Sequence, residues 1–139
     1  MDSEKRRAIV TRLLKAAKEG ADEEAQTILN GNNSDYAFVY QHIRNYILKK
    51  YVLSPEEPEE NLKALAVISL SKMMKIDSSV LREIDLATPC DKATSESTKT
   101  ALLLYSIQRD LNLPSNPREY AAVETIPELA RYIVKYINH

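Results

Sequence analysis

The residues of this chain that could do chemistry are few and far apart. Ser95 and Ser97, with Thr94 before them, fall where a new helical pattern begins. A helix N-terminus offers unpaired N–H groups and the positive end of the helix dipole, so a serine hydroxyl placed there can carry a phosphodiester-linked group. The same residue types are the preferred caps of an ordinary helix, and the placement alone leaves both roles open. Cys90, after Thr88-Pro89 and near Lys92, is the single cysteine. It can form no internal disulfide and belongs to no redox or metal spacing, and we read it as the small inert hydrophobe that free cysteine usually is. His42 and His139 have no second histidine, cysteine or carboxylate at ligand spacing and no nucleophile partner, so both are read as surface histidines.

Composition removes several classes of function. The 139 residues contain only two glycines, Gly20 and Gly31, which excludes a glycine-rich phosphate loop or dinucleotide fingerprint. The formal net charge is −1, and that balance asks for neither nucleic acid nor an anionic membrane. Lys5, Arg6, Arg7, Arg12, Lys15 and Lys18 give the first helix a basic face, but the aromatic residues needed for base stacking are missing from it, and it is read as solvated. No apolar run approaches the ~20 residues of a membrane helix, and the amino terminus opens directly into a charged amphipathic stretch. The expectation is a cytoplasmic protein in a reducing compartment, with no metal site and no catalytic constellation.

The elements that must position these residues are all helical. Ile9, Leu13 and Ala17 recur at spacing four and predict a helix over 4–19, ended by Gly20, with a short second helix over 22–30 ended at Asn30-Gly31. A third, over 35–52, places Val39, Ile43, Tyr46 and Ile47 on one face, with Tyr36, Tyr40 and Tyr51 at its edges as core or partner contacts. Ser54-Pro55-Glu56-Glu57-Pro58-Glu59-Glu60 breaks the composition; it reads as a solvated acidic linker between an N-terminal half, 1–53, and a C-terminal half, 61–139, with an acidic docking site as the other reading. The next helix, over 61–75, carries Leu62, Leu65, Ala66, Ser69 and Met73 on its stripe. After a turn at 76–81 and an irregular stretch over 84–93, a helix over 96–111 presents Ala101, Leu104, Tyr105, Gln108 and Leu111, with Leu103 and Ile107 adjoining. Leu113-Pro114-Ser115-Asn116-Pro117 interrupts the pattern, one or two turns are expected over 118–123, and a final helix over 126–138 starts at a Thr125/Glu128 capping box with Pro127 in its first turn.

From residue 61 onward this order resembles the acyl-carrier, or phosphopantetheine-attachment, family. Ser97 aligns with the attachment serine that opens the family's second helix, and Ala101, Leu103, Leu104, Ile107 and Leu111 fall on its apolar positions. Leu113-Pro114 is similar to the family's Ile-Pro, and Thr125-Ile126 with Leu129, Tyr132 and Ile133 to its last helix. The resemblance implies an all-α, carrier-like bundle preceded by a three-helix N-terminal extension. It further implies a 4'-phosphopantetheine arm on Ser97 that holds an acyl or aminoacyl group as a thioester. The partners implied are acyl-transferring or acyl-activating enzymes and a phosphopantetheinyl transferase, and the tyrosines offer a possible homodimer face. The family motif reads Gly-x-Asp-Ser-Leu, whereas this chain reads Thr94-Ser95-Glu96-Ser97-Thr98, and its second helix carries Lys99 and Arg109 where carriers are acidic. The alternative is therefore a protein–protein interaction module with the same helices and no arm.

Overall fold

In the computed structural model, which describes residues 3–76 and 92–138, the protein is all-α. Among the described residues the helices are α1 (Ser3–Asn30), α2 (Tyr36–Lys50), α3 (Leu62–Ile76), α4 (Lys92–Asp110), α5 (Pro117–Ala121) and α6 (Ile126–Tyr136). No strand accompanies them there; a lone antiparallel bridge joins Asn61 to Thr125. The turn expected at 76–81 and most of the irregular stretch over 84–93 lie outside the described residues, as do Cys90 and His139.

Gly20 does not end the first helix, and the two N-terminal helices read from the sequence are one. Ala17, Ala21, Ala25 and Ile28 form a buried stripe that passes Gly20 and lets α1 approach α2 closely. That packing outweighs the roughly 1 kcal/mol a glycine costs in a helix interior. The real stop is at Gly31, where Asn33 Nδ2 donates to the carbonyls of Ile28 (3.2 Å) and Leu29 (3.4 Å).

Asp35 caps α2 by accepting the amide of Ala37 at 3.3 Å. The predicted face of α2 is buried as expected, through Val39, Ile43, Tyr46 and Ile47. Two helices end without glycine. At the close of α2, Leu53 N–H returns to the Leu48 carbonyl (2.8 Å) and Val52 N–H to that of Lys49 (3.1 Å), with Val52 at φ 58°. At the close of α4, Leu113 N–H returns to Gln108 (2.9 Å) and Asn112 N–H to Arg109 (3.2 Å), with Asn112 at φ 53°. Both are Schellman turns. Asparagine tolerates that backbone, whereas the β-branched Val52 is strained there and is held by its neighbours. Ser69 Oγ donates to the Tyr51 carbonyl (2.7 Å), and Lys72 Nζ to that of Val52 (2.6 Å).

The acidic stretch 54–60 is solvated only in part: Ser54, Pro55, Glu56 and Pro58 are exposed, while the rest is held. Arg44 on α2 donates to the Glu57 carbonyl and lies 3.5 Å from Glu60, which also accepts from the Tyr40 hydroxyl. The Glu59 carboxylate accepts the amides of Glu60 (3.0 Å) and Asn61 (3.2 Å). Leu62 N–H then bonds to Glu124 O and Ile126 N–H to Glu60 O, both at 2.9 Å, so α3 and α6 start side by side. Asn61 caps α3 on the Ala64 amide (3.0 Å), and Leu62, Leu65, Ala66 and Ser69 are buried as the stripe predicts; the Met73 side chain lies outside the described residues. Thr125 caps α6 on the Glu128 amide (3.4 Å) and donates its own hydroxyl to the Glu128 carboxylate (3.0 Å). One buried cluster includes residues of α1, α2, α3, α4 and α6.

The inward face of α4 differs from the expected one. Leu103, Ser106, Ile107 and Leu111 point into the core, while Ala101 and Tyr105 point out. The buried Tyr46 hydroxyl sets this rotation, through hydrogen bonds to Ser106 Oγ (2.5 Å) and Asp110 Oδ2 (2.8 Å).

The two glycines separate the effects experimentally. A Cβ at Gly20 would meet only the Lys49 side chain, 3.2 Å from its Cδ, and a shift of a few tenths of an ångström there leaves Nζ on Glu24, so Gly20→Ala should stabilise by about 0.5–1 kcal/mol in denaturant unfolding. At Gly31 it would overlap the Phe38 ring and lie 2.7 Å from the Thr27 carbonyl, so Gly31→Ala should destabilise by about 1–3 kcal/mol. Equal effects at the two sites would contradict this packing.

Candidate functional site

Ser97 is exposed, on the rim of a cavity of about 450 Å³ between α3, α4 and the segment after α5. Leu62, Ala101, Leu104 and Val123 supply its apolar walls, and Lys63 is its cation. The serine is not at the start of its helix, because α4 begins at Lys92 and Ser97 is the sixth residue. Only the first four N–H groups of a helix are free of intrahelical partners, so the amide of Ser97 is not among them. Thr94 and Ser95 occupy that first turn, and their side chains lie outside the described residues. Ser97 therefore has the access that attachment of a phosphopantetheine arm needs, but its own backbone N–H is not among the free amides of the helix start.

His42 is not a plain surface histidine. Its side chain is three-quarters covered, its ring packs on Phe38 with centroids 4.6 Å apart, and its Nδ1 lies 2.7 Å from Glu24. Glu24, 8% exposed, also accepts from Lys49 Nζ at 2.7 Å, so one α1 carboxylate holds two α2 side chains. Burial alone would raise the pKa of Glu24. The hydrogen bonds from Lys49 and His42, with their charges, outweigh it and hold the carboxyl below the 4.5 of a free glutamate. The cluster crosses α1 and α2, and no local spacing in the sequence announces it. Glu24 is satisfied by His42 and Lys49 at once, so the cluster locks two helices. Among the described residues no group of three histidine, cysteine, aspartate or glutamate side chains could hold a metal ion.

The tyrosines divide by role. Tyr46, Tyr51, Tyr120 and Tyr132 belong to the core. The rings of Tyr120 and Tyr132 are 4.9 Å apart, and those of Tyr132 and Tyr136 are 4.7 Å apart. Tyr105, placed on the inner face by the sequence pattern, is instead 61% exposed, as is Leu102 one turn before it. Together they form an apolar ridge on the outer side of α4. Among the described residues no helix is long and apolar enough to cross a membrane. In comparisons with known proteins, the chain matches no family model, no curated protein and no solved structure.

The depressed pKa of Glu24 has a definite sign for stability. Its contribution is fully present above the unfolded value of 4.5 and is lost as pH falls through the lower folded value. Glu24→Gln should cost about 1–3 kcal/mol at neutral pH, the scale of hydrogen bonds to a charged group. It should also flatten the acid limb of a chemical-denaturation series run between about pH 5 and 3. A variant as acid-sensitive as the wild type would remove this assignment.

Proposed function

We propose that this chain is a non-catalytic helical interaction module that docks a partner through the outer face of α4. The observation that carries the reading is the Leu102/Tyr105 ridge, exposed on a helix whose other face is fully buried through Leu103, Ile107 and Leu111. Two large apolar side chains kept in water on one helical stripe are a liability that a partner surface would remove, and tyrosine is favoured where binding energy concentrates. On this reading the helices from 62 to 136 keep a carrier-like order. The rest of the chain, through α1 and α2, braces them, chiefly by α2 against α6.

A carrier function is the second reading. It is favoured by the exposure of Ser97 beside an apolar-walled cavity, and is opposed by the position of that serine within the helix. It would make Ser97 the bearer of a 4'-phosphopantetheine arm, with acyl-transferring or acyl-activating enzymes as partners.

Two measurements separate the readings. Coexpression with a broad-specificity phosphopantetheinyl transferase, followed by intact-mass analysis, should give no added mass; an addition on the wild type that Ser97→Ala lacks would establish the carrier. Leu102→Glu with Tyr105→Glu should leave unfolding within about 0.5 kcal/mol of the wild type, as exposed substitutions do, yet abolish the association that Ser97→Ala retains. If Ser97→Ala alone abolished function, with stability and partner binding intact, the docking reading would fail.

A further inference from the structure

Beside Leu102 a groove of about 270 Å³ opens between α1, the end of α2 and α4. Its charge is one-sided. Lys18, Lys50 and Lys99 line it, no carboxylate does, and none of the three forms an ion pair among the described residues. Lys50 Nζ donates to Ser106 Oγ at 2.6 Å, and Lys99 Nζ sits 4.8 Å from the centre of the Tyr51 ring. An ammonium carries three donors, so both lysines keep N–H groups unspent. Two acids act on Lys50 from nearby: Asp110, which is committed to Tyr46 and Arg109, and, more weakly, Asp22 of α1, which does not line the groove.

The rest of the groove is apolar. Leu14 of α1, 51% exposed, and Leu102 of α4, 61% exposed, line it together with the buried Ala17 and Leu103. A cation pair beside hydrocarbon walls fits neither a hydrocarbon nor a bare inorganic anion. We propose that this groove binds a small organic anion with an apolar tail, a medium-chain carboxylate being the simplest case, its head on Lys50 and Lys99 and its tail between Leu14 and Leu102. The size supports this, because the volume falls just under the roughly 300–1,000 Å³ of sites for drug-sized ligands. Burial pushes the Lys50 and Lys99 ammonium groups below the usual lysine range, and the charge of Lys50 pushes Lys99 further. A bound anion relieves both penalties. Nucleic acid is disfavoured, since the Tyr51 ring is buried and covered by Lys99 and offers no face for a base. The site shares Leu102 with the ridge proposed for docking, but its argument rests on the lysines and not on that role.

Titration of the isotope-labelled full chain with sodium octanoate, followed by NMR, tests the proposal. Saturable shifts are expected at Leu14, Ala17, Lys50, Lys99 and Leu102, with octan-1-ol, octylammonium and inorganic phosphate each binding more weakly. Lys99→Gln should weaken octanoate about tenfold, the scale of one charge-assisted hydrogen bond lost. Leu14→Glu, at an exposed wall position that the fold does not need, should weaken it as well by setting a carboxylate at the mouth. Absent or non-saturating shifts, shifts scattered over the surface, octanol or phosphate binding as tightly as octanoate, or indifference to both substitutions would each overturn it.

Discussion

Tyr46, in the C-terminal third of α2, has none of its side chain exposed, and a buried hydroxyl left unpaired costs about 1–3 kcal/mol. The Tyr46 hydroxyl is satisfied from α4, by Ser106 and Asp110. Burial and the charge of Asp110 raise its pKa, so it remains a donor at any ordinary pH. Satisfying that one group sets the rotation of α4 about its own axis. With Ser106 and Asp110 turned toward α2, Leu103 and Ile107 fill the core, and Leu102 and Tyr105 are carried to the outside. Lys50 reaches the same serine, which draws it alongside Lys99. The exposed ridge and the cationic groove, which meet at Leu102, are thus both consequences of one polar contact.

Hydrophobic periodicity locates much of this framework. The stripes of α2 and α3, the capping threonine of α6 and the helical class rest on spacing that survives in the fold. Contacts between distant segments are what spacing cannot convey. Gly20 reads as a helix stop until Ala17, Ala21 and Ala25 are seen packed beside it, and Glu57 and Glu60 read as solvated until Arg44 is seen on the Glu57 carbonyl and Arg44 and Tyr40 on the Glu60 carboxylate. The face of α4 departs from its apolar pattern for the same reason: an apolar count cannot register that Tyr46 pulls a serine inward in place of Tyr105. Ser97 is legible as an accessible serine but not as one well inside its helix, because Thr94, Ser95 and Ser97 all look like starts. Lys50 and Lys99 leave no local trace at all, since they meet only in three dimensions.

Scarcity of glycine shapes the remaining details. With neither helix close at Val52 or Asn112 marked by a glycine, both turns depend on the next residue, a leucine returned to the ladder in each case. The strained Val52 is fixed by two α3 side chains, Ser69 and Lys72, so the end of α2 and the face of α3 hold each other in place. The Glu24 cluster does the same for α1 and α2. These polar clasps lie where apolar packing alone would leave the helices free to slide.

The long α1 is anchored unevenly. From Glu4 to Ala16 no described side chain is buried, and firm packing begins at Ala17. Few buried contacts mean a low free energy of local opening, so order in the first turns is lent by helix continuity from the anchored half. Leu14 stands at that transition, which makes one wall of the groove between α1 and α4 softer than its floor. An occupant would have to meet the entropy of stilling those turns before gaining from them, and would in return extend the cooperative length of the helix toward its amino end.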